Sequence, residues 1–251
     1  MTWLYDSHIH LSDPEYNEDL PNVLSSMEHL QIKACCVSED YSTSKKTLEL
    51  CKKSEHILPF LGIHPGSAKE NPNSTFDLVR TNSEKIIGIG EIGLDKTYVT
   101  NEEDFQKQEK LFKDQLSLAE KLKKPISIHS RKTIDEIFEI CSSYSLEGKL
   151  LHWFDGNKKQ LKKAMDLGFY VSFGPVMIYA NDKQTLLSYA DKSLILVETD
   201  GPVKFSNCFE QKTAQISFIP SVVFCGAKIL REKYDDFAKI LETNSRKFLG
   251  I

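Results

Sequence analysis

Residues 3–13 read WLYDSHIHLSD. An apolar run of Trp3, Leu4 and Tyr5 leads into Asp6, then into His8 and His10. Side chains two residues apart on an extended strand point to the same face. The two imidazoles therefore share one side at the end of a strand, beside an acid. Strand ends that carry such groups point to an α/β fold whose chemistry sits at one rim.

Apolar runs rich in β-branched and aromatic residues recur along the chain. They are Trp3–Tyr5, Ala34–Ser38, Ile57–Ile63, Ile86–Ile92, Pro125–Ile128, Lys149–Trp153, Phe169–Phe173 and Leu194–Val197. Most are uninterrupted rather than alternating, as expected of parallel strands covered on both faces. Helical spacing lies between them, over Asp19–Leu30, Glu102–Leu122, Thr133–Tyr144, Lys158–Leu167 and Gln184–Ala190, with last helices expected at Ile219–Lys233 and Asp235–Phe248. Eight strands alternating with helices predict a (β/α)₈ TIM-type barrel, one domain over residues 1–251. A flat doubly wound sheet shares the alternation, and strand counting does not separate the two. A length of 251 residues with 40% hydrophobic content suits one such barrel.

The formal charge of −4 excludes the basic footprint of a protein that grips long nucleic acid nonspecifically. A phosphate-bearing substrate would have to be held locally. The lysine-rich stretches KLKK (121–124) and NKKQLKK (157–163) read as solvated helix faces. Six cysteines without a CxxC pair, several in apolar runs, suggest reduced core residues. With neither a signal peptide nor a membrane-length apolar stretch, a cytoplasmic monomer is expected.

Position singles out the chemistry, because barrel sites are built at the C-terminal ends of strands. Five of the seven histidines, His8, His10, His64, His129 and His152, follow or end apolar runs, and so do Glu91 and Asp200. One such histidine would ordinarily be a partly buried structural residue. Five with two carboxylates, converging on one mouth, form a constellation. Imidazole and carboxylate donors without thiolate suit a catalytic divalent ion such as magnesium, manganese or zinc. The six donors His8, His10, Glu91, His129, His152 and Asp200 exceed the needs of one tetrahedral ion. They fit two ions sharing a bridging carboxylate, with Glu91 as the natural bridge. No role is assigned to His29 or His56.

Around this set, Arg131 follows His129 by two and reads equally as a phosphate clamp or as a salt bridge at the mouth. Glu198 reads as a residue orienting Asp200 or a ligand, or as a supporting carboxylate; Asp6 supports a histidine; Asp95 reads as structural. Trp153, Phe154 and Phe173 lie near strand ends and read chiefly as core or padding, with base stacking the alternative. Ser127 and Ser130 lack the turn of a serine nucleophile.

DSHIHLSD, GIHP, GEIGLD, ISIHSR, HWFDG and VETDGP occur in that order from Asp6 to Pro202. Together they resemble the TatD-type metal-dependent hydrolases, within the amidohydrolase-like barrels. The resemblance implies a divalent-metal site and, as in the best-known members, deoxyribonuclease activity on DNA ends. It implies His8, His10, Glu91, His129, His152 and Asp200 as metal ligands and His64 as a contact for substrate phosphate. Expected roles follow: His8, His10, Glu91 and Asp200 on one ion, Glu91, His129 and His152 on the second, and Asp200 accepting a proton from an activated water. The substrate expected is DNA or a small phosphodiester. The rim departs from the family: after Pro202 no Pro-His-Arg stretch follows, and HWFDG stands where HCFSG is commoner. Alternatives are an amidohydrolase acting on a lactone or amide, which often bridges its ions with a carboxylated lysine where Glu91 stands, and a barrel without catalysis.

Overall fold

The computed structural model describes residues 2–69 and 71–251. Eight strands form one parallel sheet in chain order: β1 (Leu4–Ile9), β2 (Ile32–Cys36), β3 (Ile57–Leu61), β4 (Gly88–Asp95), β5 (Ile126–Arg131), β6 (Lys149–Leu151), β7 (Tyr170–Phe173) and β8 (Ile195–Val197). The main helices are α1 (Leu20–Leu30), α2 (Tyr41–Leu50), α3 (Asn73–Thr81), α4 (Glu102–Leu122), α5 (Ile134–Cys141), α6 (Lys158–Asp166), α7 (Asn181–Tyr189), α8 (Ile219–Leu230) and α9 (Tyr234–Leu249). This is the (β/α)₈ barrel the alternation predicts, and the flat-sheet alternative falls with it. β8 returns to β1, and side chains help to join the seam. Ser7 Oγ donates to the Val197 carbonyl at 2.9 Å, and Asp6 accepts from both the backbone and the hydroxyl of Thr199. The Asp200 amide reaches the His8 carbonyl at 2.9 Å. Asp6 also accepts from the His8 backbone amide at 3.2 Å.

Strand boundaries differ from the apolar runs in an informative way. β1, β4 and β5 run on through the polar motifs, so His8, Glu91 and His129 lie within strands rather than just beyond them. All eight residues of β4 are buried, polar ones included. Closure supplies partners for those polar groups, so the ladder continues where an apolar count stops. Two helices carry no clear apolar stripe in sequence. α2 buries Ser44, Thr47 and Leu50, a face made largely of hydroxyls, with the Ser38 hydroxyl donating to Thr47 Oγ1. α3 spans nine residues and buries only Thr75 and Val79.

All six cysteines are free; Cys35, Cys36 and Cys141 are buried, whereas Cys208 is exposed on the loop after β8, outside the core. No helix among the described residues is long and apolar enough to cross a membrane.

One glycine fixes the approach of β4 to β5. Gly93 pairs with His129, at φ 146°, and a Cβ there would lie 2.0 Å from the His129 carbonyl oxygen. Gly93→Ala is therefore expected to destabilise the fold by about 3 kcal/mol or more, read as a fall in the urea midpoint.

Candidate metal centre at the barrel mouth

β1 carries His8 and delivers His10 just beyond its end, β4 carries Glu91, and β5 carries His129. His152 follows β6, Asp200 follows β8, and His64 caps the short turn Pro65–Ser67 after β3. The structure brings all seven to one mouth. His8 Nε2 and His10 Nε2 stand 3.2 Å apart. Glu91 Oε2 lies 3.5 Å from the first and 3.4 Å from the second, and Asp200 Oδ1 lies 3.6 and 3.5 Å from them. The other oxygen of Glu91 faces a different group. Oε1 is 2.7 Å from His129 Nδ1, 2.8 Å from His152 Nε2 and 3.8 Å from His64 Nε2.

Donors held about 2.0–2.2 Å from one tetrahedral ion stand about 3.3–3.6 Å from each other. The spacings around Glu91 Oε2 match that edge length. Imidazole nitrogens crowd inward, while the outward Nδ1 atoms of His10 and His152 are buried without a hydrogen-bond partner. His8, His10 and Glu91 form one group whose donor atoms lie close enough together to hold an ion, and His64, Glu91 and His129 form another. The donor set thus fits a divalent cation.

Surrounding residues fix which ring nitrogen faces inward. His8 Nδ1 is 2.8 Å from Ser127 Oγ, which leaves Nε2 for the centre. His129 Nε2 is 2.8 Å from Asp95 Oδ2, which leaves Nδ1 for Glu91. Asp95 also accepts from the Thr97 amide and hydroxyl, so it anchors a turn and orients a histidine at once. Such outer partners set tautomer and ring orientation. Sequence reasoning missed Ser127 in this role. The available signal was its i, i+2 relation to His129 on the same barrel-facing side of β5.

Electrostatics follow from burial and neighbours. Burial together with the nearby His152 lowers His8 to about 4, and burial lowers His64 to about 4, so both are neutral near pH 7. Burial opposes charge on His129, but hydrogen bonds to Asp95 and Glu91 outweigh it and push the ring up to about 10. His10 is pushed up to about 9 in the same way, against burial, by Asp200 and Glu91. Burial also resists ionisation of Glu91, yet the surrounding histidines hold it well below the usual carboxylate range. Glu198 runs the other way: burial and the nearby Asp200 charge raise it. It accepts from the Trp153 amide at 2.7 Å and from the Ser172 hydroxyl, bracing the turn after His152, and it also lies close enough to His8 and His152 to form a third group able to hold an ion.

A cavity of about 320 Å³ opens beside the centre, bordered by His129, His152 and Asp200 and also by Arg131, Trp153 and Val203. Arg131 is exposed and forms no ion pair among the described residues. Phe154 and Phe173 are buried in the core. His29 bonds within its own helix and His56 pairs with Glu28, both apart from the mouth.

A family model described as TatD related DNase matches residues 5–250. The chain is 26% identical over 255 residues to the uncharacterized metal-dependent hydrolase YabD of Bacillus subtilis, covering 99% of each chain. It is 28% identical over 213 residues to the deoxyribonuclease TATDN3 of Homo sapiens, covering 79% of this chain and 78% of that one. Among solved structures, the TatD homologue YjjV from Escherichia coli superposes with a TM-score of 0.90 at 23% identity, covering 99% of this chain and 98% of that one. The family match spans both halves of the cage, from the strand that carries His8 to the helix that closes the barrel behind Asp200, and the chain belongs to the TatD-related DNase family.

Proposed function

We propose that this protein is a divalent-metal-dependent phosphodiesterase that hydrolyses DNA from its ends, working at a centre of two ions. The observation that carries this reading is the division of Glu91, one oxygen turned to His8 and His10 and the other to His129 and His152. His8, His10, Glu91 and Asp200 would hold one ion, and Glu91, His129 and His152 the other. Magnesium, manganese and zinc all accept such nitrogen and oxygen donors. When bound, the ions supply an acidified water and charge neutralisation at the phosphoryl group.

The chain's own residues do the rest. Asp200 is held ionised by the His10 hydrogen bond and neighbouring histidines, against burial, so its carboxylate is ready to accept the proton of the attacking water. His64 accepts from the Gly66 amide through Nδ1, which leaves its Nε2–H directed toward the centre. As a neutral donor it can hydrogen-bond a phosphoryl oxygen as charge develops there. Arg131, unpaired at the cavity, adds a planar fork for a second phosphoryl oxygen.

The test is metal-supplemented hydrolysis of single-stranded and duplex DNA with free ends, RNA, a model phosphodiester, a lactone and an amide. DNA should shorten from its ends, and the double variant His129→Ala, His152→Ala should lose at least about 10³-fold in rate. Turnover confined to the lactone or amide would overturn the assignment.

A further inference from the structure

Trp153 occupies a backbone position that suits an indole poorly. Its φ is +42°, in the left-handed region that favours glycine or asparagine. The turn is held there from below, by the buried Glu198 carboxylate and the Ser172 hydroxyl, both of which meet the Trp153 amide. A strained residue held by a buried carboxylate points to a use for the side chain so placed. The indole is half-buried and borders the cavity beside the centre. Behind it the buried Phe205 stacks on the ring, with centroids 5.5 Å apart and planes 19° apart, and Phe205 packs in turn on Phe209. The result is an aromatic platform next to the metal donors, with Arg131, which forms no ion pair among the described residues, on the same cavity.

We propose that Trp153 is the base platform of a subsite for one terminal nucleotide, the nucleoside that carries the scissile phosphate, with Arg131 on the phosphate. The proposal rests on the phosphodiesterase reading and names the part of the substrate that the site recognises. At about 320 Å³ the cavity is at the small end of ligand cavities, a size that accommodates one nucleoside phosphate. The nearby Lys183 is paired with Asp155 and Lys204 with Glu15. A stacking platform is indifferent to base identity, because every base offers a π-face.

Two sources present this unit, a free dinucleotide and the end of a DNA strand. Steady-state hydrolysis should be compared for thymidylyl-thymidine, for a single-stranded ten-residue oligonucleotide, and for the same oligonucleotide with an abasic terminal residue at the cleaved end. The wild-type KM for the abasic end should exceed that for the normal end by roughly 5- to 100-fold. In Trp153→Ala that ratio should collapse toward one, and Trp153→Phe should restore part of it. The dinucleotide KM should lie within about threefold of the oligonucleotide KM. Equal wild-type KM values for normal and abasic ends overturn the subsite. So does a dinucleotide KM a hundredfold above that of the oligonucleotide, which would favour a polymer groove.

Binding without turnover separates this from the reaction assignment. The chain has two tryptophans, and Trp3 packs on His56, apart from the mouth. Thymidine 5′-monophosphate should quench the tryptophan fluorescence of wild type and leave that of Trp153→Phe unchanged. Absence of wild-type quenching overturns the platform. Methyl p-nitrophenyl phosphate, which carries no base, reports the phosphodiesterase chemistry by itself: its hydrolysis without any preference for a terminal base would sink the subsite and leave the reaction class standing.

Discussion

Glu91→Gln should lower metal-supplemented hydrolysis by about 10³-fold or more and cut bound metal to at most one ion per chain. The substitution is nearly isosteric, so the barrel is expected to remain. What changes is the second donor: an amide offers one acceptor oxygen, and its NH₂ group cannot replace the carboxylate oxygen on the other side. In the structure the two oxygens serve separate groups, Oε2 with His8 and His10, Oε1 with His129 and His152. An amide would also leave the surrounding histidines without the charge that now lies among them. Elemental analysis of the purified variant beside its kinetics makes the check. Asp95→Asn is the useful comparison, because it removes the orienting partner of His129 without touching a proposed ligand; a loss of only about 10- to 100-fold is expected there. Glu91→Gln protein that keeps two ions and wild-type turnover would refute the shared bridge.

Metal affinity should climb steeply with pH. In the metal-free protein His10 is pushed up to about 9 and His129 to about 10, each against the cost of burial, by neighbouring carboxylates. Both rings are therefore protonated at pH 7, and an imidazolium has no lone pair to offer. Each proton displaced raises apparent affinity about tenfold per pH unit, so two give a slope approaching two on a logarithmic plot from about pH 7 to 9, flattening above about 10. Stability of the metal-free fold runs the opposite way. Groups with folded values above the unfolded 6.5 contribute stability that is fully present below that value and lost as pH rises through about 9 and 10. Stabilisation by added metal should thus grow with pH. Calorimetric titration in buffers of different ionisation heat would count the protons released. A flat affinity profile across this range would contradict the protonation described.

The residues that carry the chemistry were legible because their types and positions are local facts. An apolar run ending in His-x-His, Glu or Asp can be read without knowing where the next strand lies. Eight apolar runs, most of them separated by helical spacing, define the class of fold. The helices missed, α2 and α3, show the limit of that method: α2 turns hydroxyls inward, and an apolar count cannot tell a hydroxyl satisfied by Ser38 from one facing water.

From sequence alone came the donor identities, the strand-and-helix order and the family likeness. Periodicity reports which way a side chain points from its own element, so it could nominate His8, His10, Glu91, His129, His152 and Asp200 but not measure their separation. Closure of the barrel decided the rest, because it sets residue 8 beside residue 200 and turns the two oxygens of one glutamate to opposite sides. It also decided that Ser127 and Asp95 select the ring nitrogens of His8 and His129, that Arg131 is left unpaired, and that Trp153 is held on the cavity wall. Those outcomes depend on distances between elements far apart in the chain, and such distances exist only once the sheet has closed.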